Sequence, residues 1–265
     1  MEKIRRDGLD LHYTVLGSGP DVVLLHPFPS CHELWLPVAE RLATKYRVIL
    51  PDLRAHGRSS VPDRPALMGD YADDLDALCR ELKVGKAVWA GISIGGYILF
   101  EMWRRHTQRI RAMAILCSKA PADTPEGKAV RLKSADDVLE RGVSFFLDAQ
   151  VPQLLGETTQ RSRRDIVDAA RRTMRFATPQ SIAAIQRGMA ERPDSVPTLA
   201  SISVPTQLVG GEEDTLAPRA EIERMHAGIR GSSMAILPKA GHYVCFEQPE
   251  ETMRILRTFC DRHAQ

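Results

Sequence analysis

Apolar positions along this chain recur with two alternating periods, and the alternation predicts the architecture. Residues 9–17 (LDLHYTVLG) alternate apolar and polar and read as a strand. Short, mostly apolar runs at 22–25, 47–52, 86–91, 110–117, 204–211 and 233–238 read as buried strands. Between them, apolar residues recur at helical spacing over 33–46, 70–82, 94–106, 219–229 and 249–263. Pro37 has to sit in the first turn of its helix, because a later proline would break it. The helix over 70–82 opens with acidic residues, which suits the positive end of the helix dipole. Buried strands alternating with helices predict an α/β fold with a mostly parallel sheet and helices on both faces.

The alternation stops between residues 119 and 200. That block is helical in pattern, contains no strand and is punctuated by Pro152, Pro179, Pro193 and Pro197. About 80 residues exceed an ordinary crossover, so the block is expected to be a helical cap inserted into a core of residues 1–118 and 201–265. Such an insertion belongs over the carboxyl ends of the strands, where ligands bind in open α/β sheets. Phe145, Phe146, Leu154 and Met174 are the cap residues expected to face a pocket or pack beside it.

Composition narrows the class. A hydrophobic fraction of 43% with 26% charged residues suits a globular protein with a substantial core, and a net charge of +2 gives no reason to expect nucleic acid or a membrane surface as partner. The first residues carry no apolar stretch of signal-peptide length, and no run approaches the roughly 20 apolar residues of a membrane span. Cys31, Cys79, Cys117, Cys245 and Cys260 are odd in number and scattered, which fits reduced thiols in a cytoplasmic protein. No metal-ligand spacing appears, so neither metal nor cofactor is expected, and oligomeric state is left open.

The chemistry is expected at the junction 88–99, VWAGISIGGYIL, where Ser93 stands between Gly91 and Gly95. A strand turning sharply into a helix there lifts the serine above the sheet, and the flanking glycines remove side chains that would collide. A serine hydroxyl needs a base. His242, in the loop after strand 233–238, is the best placed of eight histidines; His32 is retained only as a pocket residue. The base needs an acid, and Asp214 follows strand 204–211, with Glu212 and Glu213 as rivals on spacing. Asp52 also ends a strand and is expected to cap a turn. Two oxyanion donors are required. Pro27 has no N–H, leaving Phe28 and Ile94 as the pair.

With these stretches in place, the chain resembles the α/β-hydrolase superfamily over nearly its whole length. The resemblance rests on LHPFP, PDLRAHGRS, AGISIGG, VGGEEDTLAP and AGHYVCFEQPE. Within the superfamily it is most similar to cap-bearing carboxylesterases and 3-oxoadipate enol-lactonase-like proteins. The resemblance implies Ser93, Asp214 and His242 as a triad in the family's chain order, with Phe28 and Ile94 as oxyanion donors. Pro27 departs from the glycine usual at that position. The function implied is hydrolysis of a small-molecule carboxylic ester or lactone. Two other outcomes of the same fold are a ligand receptor or regulatory partner that keeps the triad, and perhydrolase- or haloperoxidase-like chemistry.

Overall fold

The structure is a computed structural model and describes residues 1–264. The chain runs β1 (Glu2–Arg6), β2 (Leu9–Leu16), β3 (Asp21–Leu25), α1 (Leu36–Leu42), β4 (Arg47–Pro51), α2 (Met68–Glu81), β5 (Ala87–Ile92), α3 (Ile94–Arg105) and β6 (Ile110–Leu116). Five helices follow: α4 (Pro125–Leu154), α5 (Glu157–Ser162), α6 (Arg164–Thr173), α7 (Pro179–Ala190) and α8 (Val196–Leu199). The chain then completes β7 (Thr206–Gly211), α9 (Arg219–Gly228), β8 (Ser233–Leu237), α10 (Val244–Glu247) and α11 (Pro249–His263).

The eight strands form one sheet in the order β1-β2-β4-β3-β5-β6-β7-β8. The first two junctions are antiparallel and the remaining five parallel. Alternation along each strand divides the core between the two faces. Val23, Leu25, Trp89, Met113 and Ile115 pack with residues of α2 and α3, while Val22, Leu24, Val88, Ala90 and Ala114 pack with α1 and α11. Burial on both sides is why these strands read as continuous apolar runs.

Two local outcomes differ from the pattern. The helix expected over 33–46 divides into a single 3-10 turn, His32–Trp35, and α1, which ends at Leu42; Pro37 lies in the first turn of α1. β1 carries no apolar alternation, because Ile4 is its one apolar residue and the strand forms the charged outer edge of the sheet.

The five helices between β6 and β7 occupy the stretch without strand pattern. α4 is interrupted at Gly142, whose φ of 85° no helix accommodates. Thr124 and Thr178 cap α4 and α7, accepting hydrogen bonds from Gly127 and Ser181 N–H.

Candidate active site

Ser93 joins β5 to α3 with φ 55° and ψ −113°, a left-handed conformation that a serine adopts only when its surroundings impose it. Its N–H donates to Leu116 O at 2.9 Å, and its carbonyl accepts from Ser118 Oγ and Gly96 N, both at 2.8 Å. The glycines allow the crossing. A Cβ on Gly91 would lie 2.6 Å from the Gly95 carbonyl, and one on Gly95 would lie 2.9 Å from Leu25 O.

Asp214 lies in the loop after β7. Its Oδ1 accepts from Leu216 N at 2.9 Å and Ala217 N at 3.0 Å, which leaves Oδ2 for His242 Nδ1 at 2.8 Å. Burial pushes the Asp214 carboxyl up, but His242 and the loop N–H groups outweigh it and hold the group below its ordinary value. An ionised carboxylate only accepts, so Nδ1 carries the proton and Nε2 of a neutral ring keeps its lone pair. The rival acids are engaged elsewhere: Glu212 accepts from Lys239 N, and Glu213 from Thr158 N and Oγ1.

The loop after β3 carries Phe28. Its carbonyl accepts from Tyr243 Oη at 3.1 Å. Among the described residues, no hydrogen bond uses the N–H of Phe28 or of Ile94, the first residue of α3. His26 braces the loop, with Nδ1 donating to Pro27 O and Nε2 accepting from Leu53 N, both at 3.0 Å. Burial lowers His26 to about 4 and keeps the ring neutral.

A cavity of about 520 Å³ connects these parts. Ser93, His242, Phe28 and Leu216 line it from the sheet side; Val138, Phe145, Phe146 and Leu154 line it from α4. Met174 is not in this lining and packs in the core with α1 and α11 residues. His32 is also outside it: its Nδ1 lies 2.8 Å from Asp52, which caps a turn through Arg58 N.

The sequence reading missed the polar part of the lining. Asp123 Oδ2 meets Arg131 Nε at 2.5 Å and Arg192 Nη1 at 2.6 Å, and Lys119 Nζ lies 3.8 Å from Oδ1. Burial raises the Asp123 carboxyl, but the two guanidinium groups outweigh it and hold it low. Arg192 stacks 4.4 Å from the ring centre of Tyr97, one turn beyond Ser93 on α3. Three cations thus share one carboxylate, and Lys119, Arg131, Asp123 and Tyr97 all line the cavity. The charges of KAPADTPEGKAVR (119–131) are visible in the sequence, but nothing there shows that they converge with Arg192.

Among the described residues, two groups have the donor types of a metal site: Cys31, His32 and Asp52, and Cys117, Asp214 and His242. In both, the imidazole and carboxylate already bond each other. Burial pushes the Cys117 thiol well up, so it is held as S–H beside Gly241 O rather than as the thiolate a metal takes. All five cysteines are buried and free.

No helix of the described residues is long and apolar enough to cross a membrane. The chain is 33% identical, over all of both chains and with a TM-score of 0.96, to a malate-bound thermophilic esterase from Thermogutta terrifontis. It is 26% identical to 3-oxoadipate enol-lactonase 1 of Acinetobacter baylyi, covering 96% of this chain and 94% of that one. It is equally 26% identical to 2-(acetamidomethylene)succinate hydrolase of Mesorhizobium japonicum, covering 92% and 89%. The family model described as alpha/beta hydrolase fold matches residues 20–249, so the chain belongs to the α/β-hydrolase family.

Proposed function

We propose that the protein hydrolyses small carboxylic esters or lactones through an acyl-enzyme on Ser93. The observation that carries this is one cavity lined by both Ser93 and His242, with Asp214 fixing the imidazole from behind. His242 Nε2 takes the hydroxyl proton as Ser93 Oγ attacks the carbonyl, and returns it to the leaving alcohol. Water then repeats the attack on the acyl-enzyme. The Phe28 and Ile94 N–H groups, both without another acceptor among the described residues, are the donors to the oxyanion. Pro27 stiffens the first of them, and Tyr243 holds its carbonyl. The helices between β6 and β7 act as the cap that selects the substrate.

The cation-rich end of the cavity narrows the substrate. Lys119 has no hydrogen-bond partner among the described residues, and Asp123 offsets only one of three charges. An ester or lactone carrying a carboxylate away from the scissile bond fits that excess, since hydrogen bonds to charged groups contribute about 1.5–3 kcal/mol. The names of the succinate hydrolase and the enol-lactonase among the relatives agree with this chemistry.

The test is a panel of neutral alkyl esters, monoesters of dicarboxylic acids and lactones, run on the wild type, Ser93→Ala and Lys119→Met. The expected result is a kcat/KM at least about tenfold higher for the anionic substrates, reduced by Lys119→Met alone. Ser93→Ala is expected to be inactive on all of them. Undiminished activity in Ser93→Ala overturns the mechanism. Tight binding of the whole panel without turnover supports a receptor instead.

A further inference from the structure

His242 and Asp214 sit on separate loops, yet the residues beside each are tied to one short piece of the cap. Glu213, which precedes Asp214, accepts from Thr158 N at 2.8 Å and Thr158 Oγ1 at 2.5 Å. Tyr243, which follows His242, donates its N–H to Leu154 O at 3.1 Å. Gly241, which precedes His242, shares a carboxylate with the cap: Glu247 Oε1 accepts from Gly241 N at 2.9 Å and Oε2 from Gly156 N at 2.8 Å. The two loops also bond each other, Glu213 N donating to Ala240 O at 2.8 Å.

The contact is backbone on backbone. A Cβ on Gly241 would fall 2.2 Å from Gly156 N, and one on Gly156 would fall 2.5 Å from Glu213 Oε2. Glu247 is 5% exposed and spends both oxygens on this junction. Burying a carboxylate is unfavourable unless it is hydrogen-bonded, and burial does push Glu247 above its ordinary value. An apolar residue would fill the same space without that penalty, but it could not join two N–H groups that come from different parts of the chain.

We infer that Glu247 and Glu213 are positioning residues, and that the cap segment 154–158 forms a third side of the His242–Asp214 pair. The cap then holds the base in register as well as enclosing substrate. This inference rests on the assignment of His242 as the base.

The test compares Glu247→Gln and Glu213→Gln with Arg187→Gln, which removes an exposed cap ion pair with Asp136 away from this junction. A glutamine at 247 keeps the shape but presents an NH₂ to one of the two N–H groups. For Glu247→Gln, kcat is expected to fall about 10- to 100-fold with KM within about threefold, since small misplacements of catalytic groups act at that scale. Arg187→Gln is expected to change neither. The second readout is the strongly downfield-shifted proton resonance of His242 Nδ1, which is expected to weaken or broaden in Glu247→Gln and persist in Arg187→Gln. An unchanged kcat and an unchanged resonance overturn the inference, as does a loss confined to KM. If Glu247→Gln does not fold, the same two readouts on Glu213→Gln decide it. If the wild type turns over no ester or lactone, the proposed function fails, and the resonance still decides the positioning role.

Discussion

The molecule contains two buried histidine–aspartate pairs that are alike at close range. His242–Asp214 and His32–Asp52 each join Nδ1 to a carboxylate oxygen at 2.8 Å, and each has a buried cysteine, Cys117 or Cys31, within reach. What separates them is what each carboxylate and ring does next. Asp52 also accepts from His32 N and Arg58 N, and a Cβ on Gly57 would strike its carboxyl group at 2.2 Å, so it fills the turn 52–58. His32 does not line the cavity. Asp214 accepts from its own loop and orients a ring that shares the cavity with Ser93. A His–Asp pair is therefore a structural part in one loop and, by our proposal, a catalytic part in another. Neither Nε2 takes a hydrogen bond among the described residues, so the cavity that His242 shares with Ser93, the proposed nucleophile, makes the difference.

The largest test of that contrast is truncation. Ser93→Ala and His242→Ala are each expected to lower kcat by about 10⁴- to 10⁶-fold, as removal of a triad member does elsewhere. His32→Ala is expected to leave kcat within about tenfold while lowering the unfolding midpoint, because it strands a buried carboxylate. Steady-state kinetics beside urea unfolding of the three variants checks this. A His32 variant as inactive as the His242 variant would erase the distinction.

Exchanging the acids is the next step down. Asp214→Asn is expected to lower kcat by about 10³- to 10⁴-fold with little change in KM, because an amide can donate to Nδ1 and so favours the wrong tautomer. Asp52→Asn makes the same chemical change at the same distance and is expected to affect kcat less than about tenfold, with a loss of about 1–3 kcal/mol in stability. A larger kinetic effect from Asp52→Asn than from Asp214→Asn would reassign the acid.

What was legible in the sequence follows the same division. The parallel strands were visible because burial on both faces leaves continuous apolar runs, and Gly91-x-Ser93-x-Gly95 because only glycine permits that crossing. Asp214 was placed by its position at the end of β7, although Glu212 and Glu213 were equal on spacing; only their partners, Lys239 N and Thr158, separate them. The 3-10 turn at His32 and the charged edge strand β1 gave no periodic signal. The cluster of Lys119, Asp123, Arg131 and Arg192 was illegible because it joins residues up to about 70 positions apart, and charge in a helical segment reads as solvated surface until the fold buries it. Glu247 was hidden for the same reason, since its two partners lie 6 and 91 residues away.

The smallest effect concerns pH and falls on the structural side of the comparison. Around Asp52, burial holds His26 at about 4 and His56 at about 3, both below the ordinary histidine value of 6.5. Below pH 6.5 the unfolded chain takes up protons that these folded rings refuse, so stability is full above that pH and declines as pH falls toward 4. Each ring is expected to contribute about 2 kcal/mol of this loss between pH 6.5 and 5. His56 Nε2 is buried without a hydrogen-bond partner among the described residues, so His56→Gln removes a titrating group whose ring is only half satisfied. Urea unfolding at pH 7.5, 6.5 and 5 is expected to show a shallower decline in His56→Gln than in the wild type. Asp52 acts in a separate window: burial raises its carboxyl, the His32 hydrogen bond and the nearby imidazoles outweigh that, and it titrates at about 2. Its contribution is therefore complete above pH 3.8 and is lost only as pH falls toward 2, so Asp52→Asn shifts the pH 5 to 7.5 profile downward without changing its slope. A slope that changes in Asp52→Asn but not in His56→Gln would show that the neutral imidazoles do not carry the acid sensitivity of this loop.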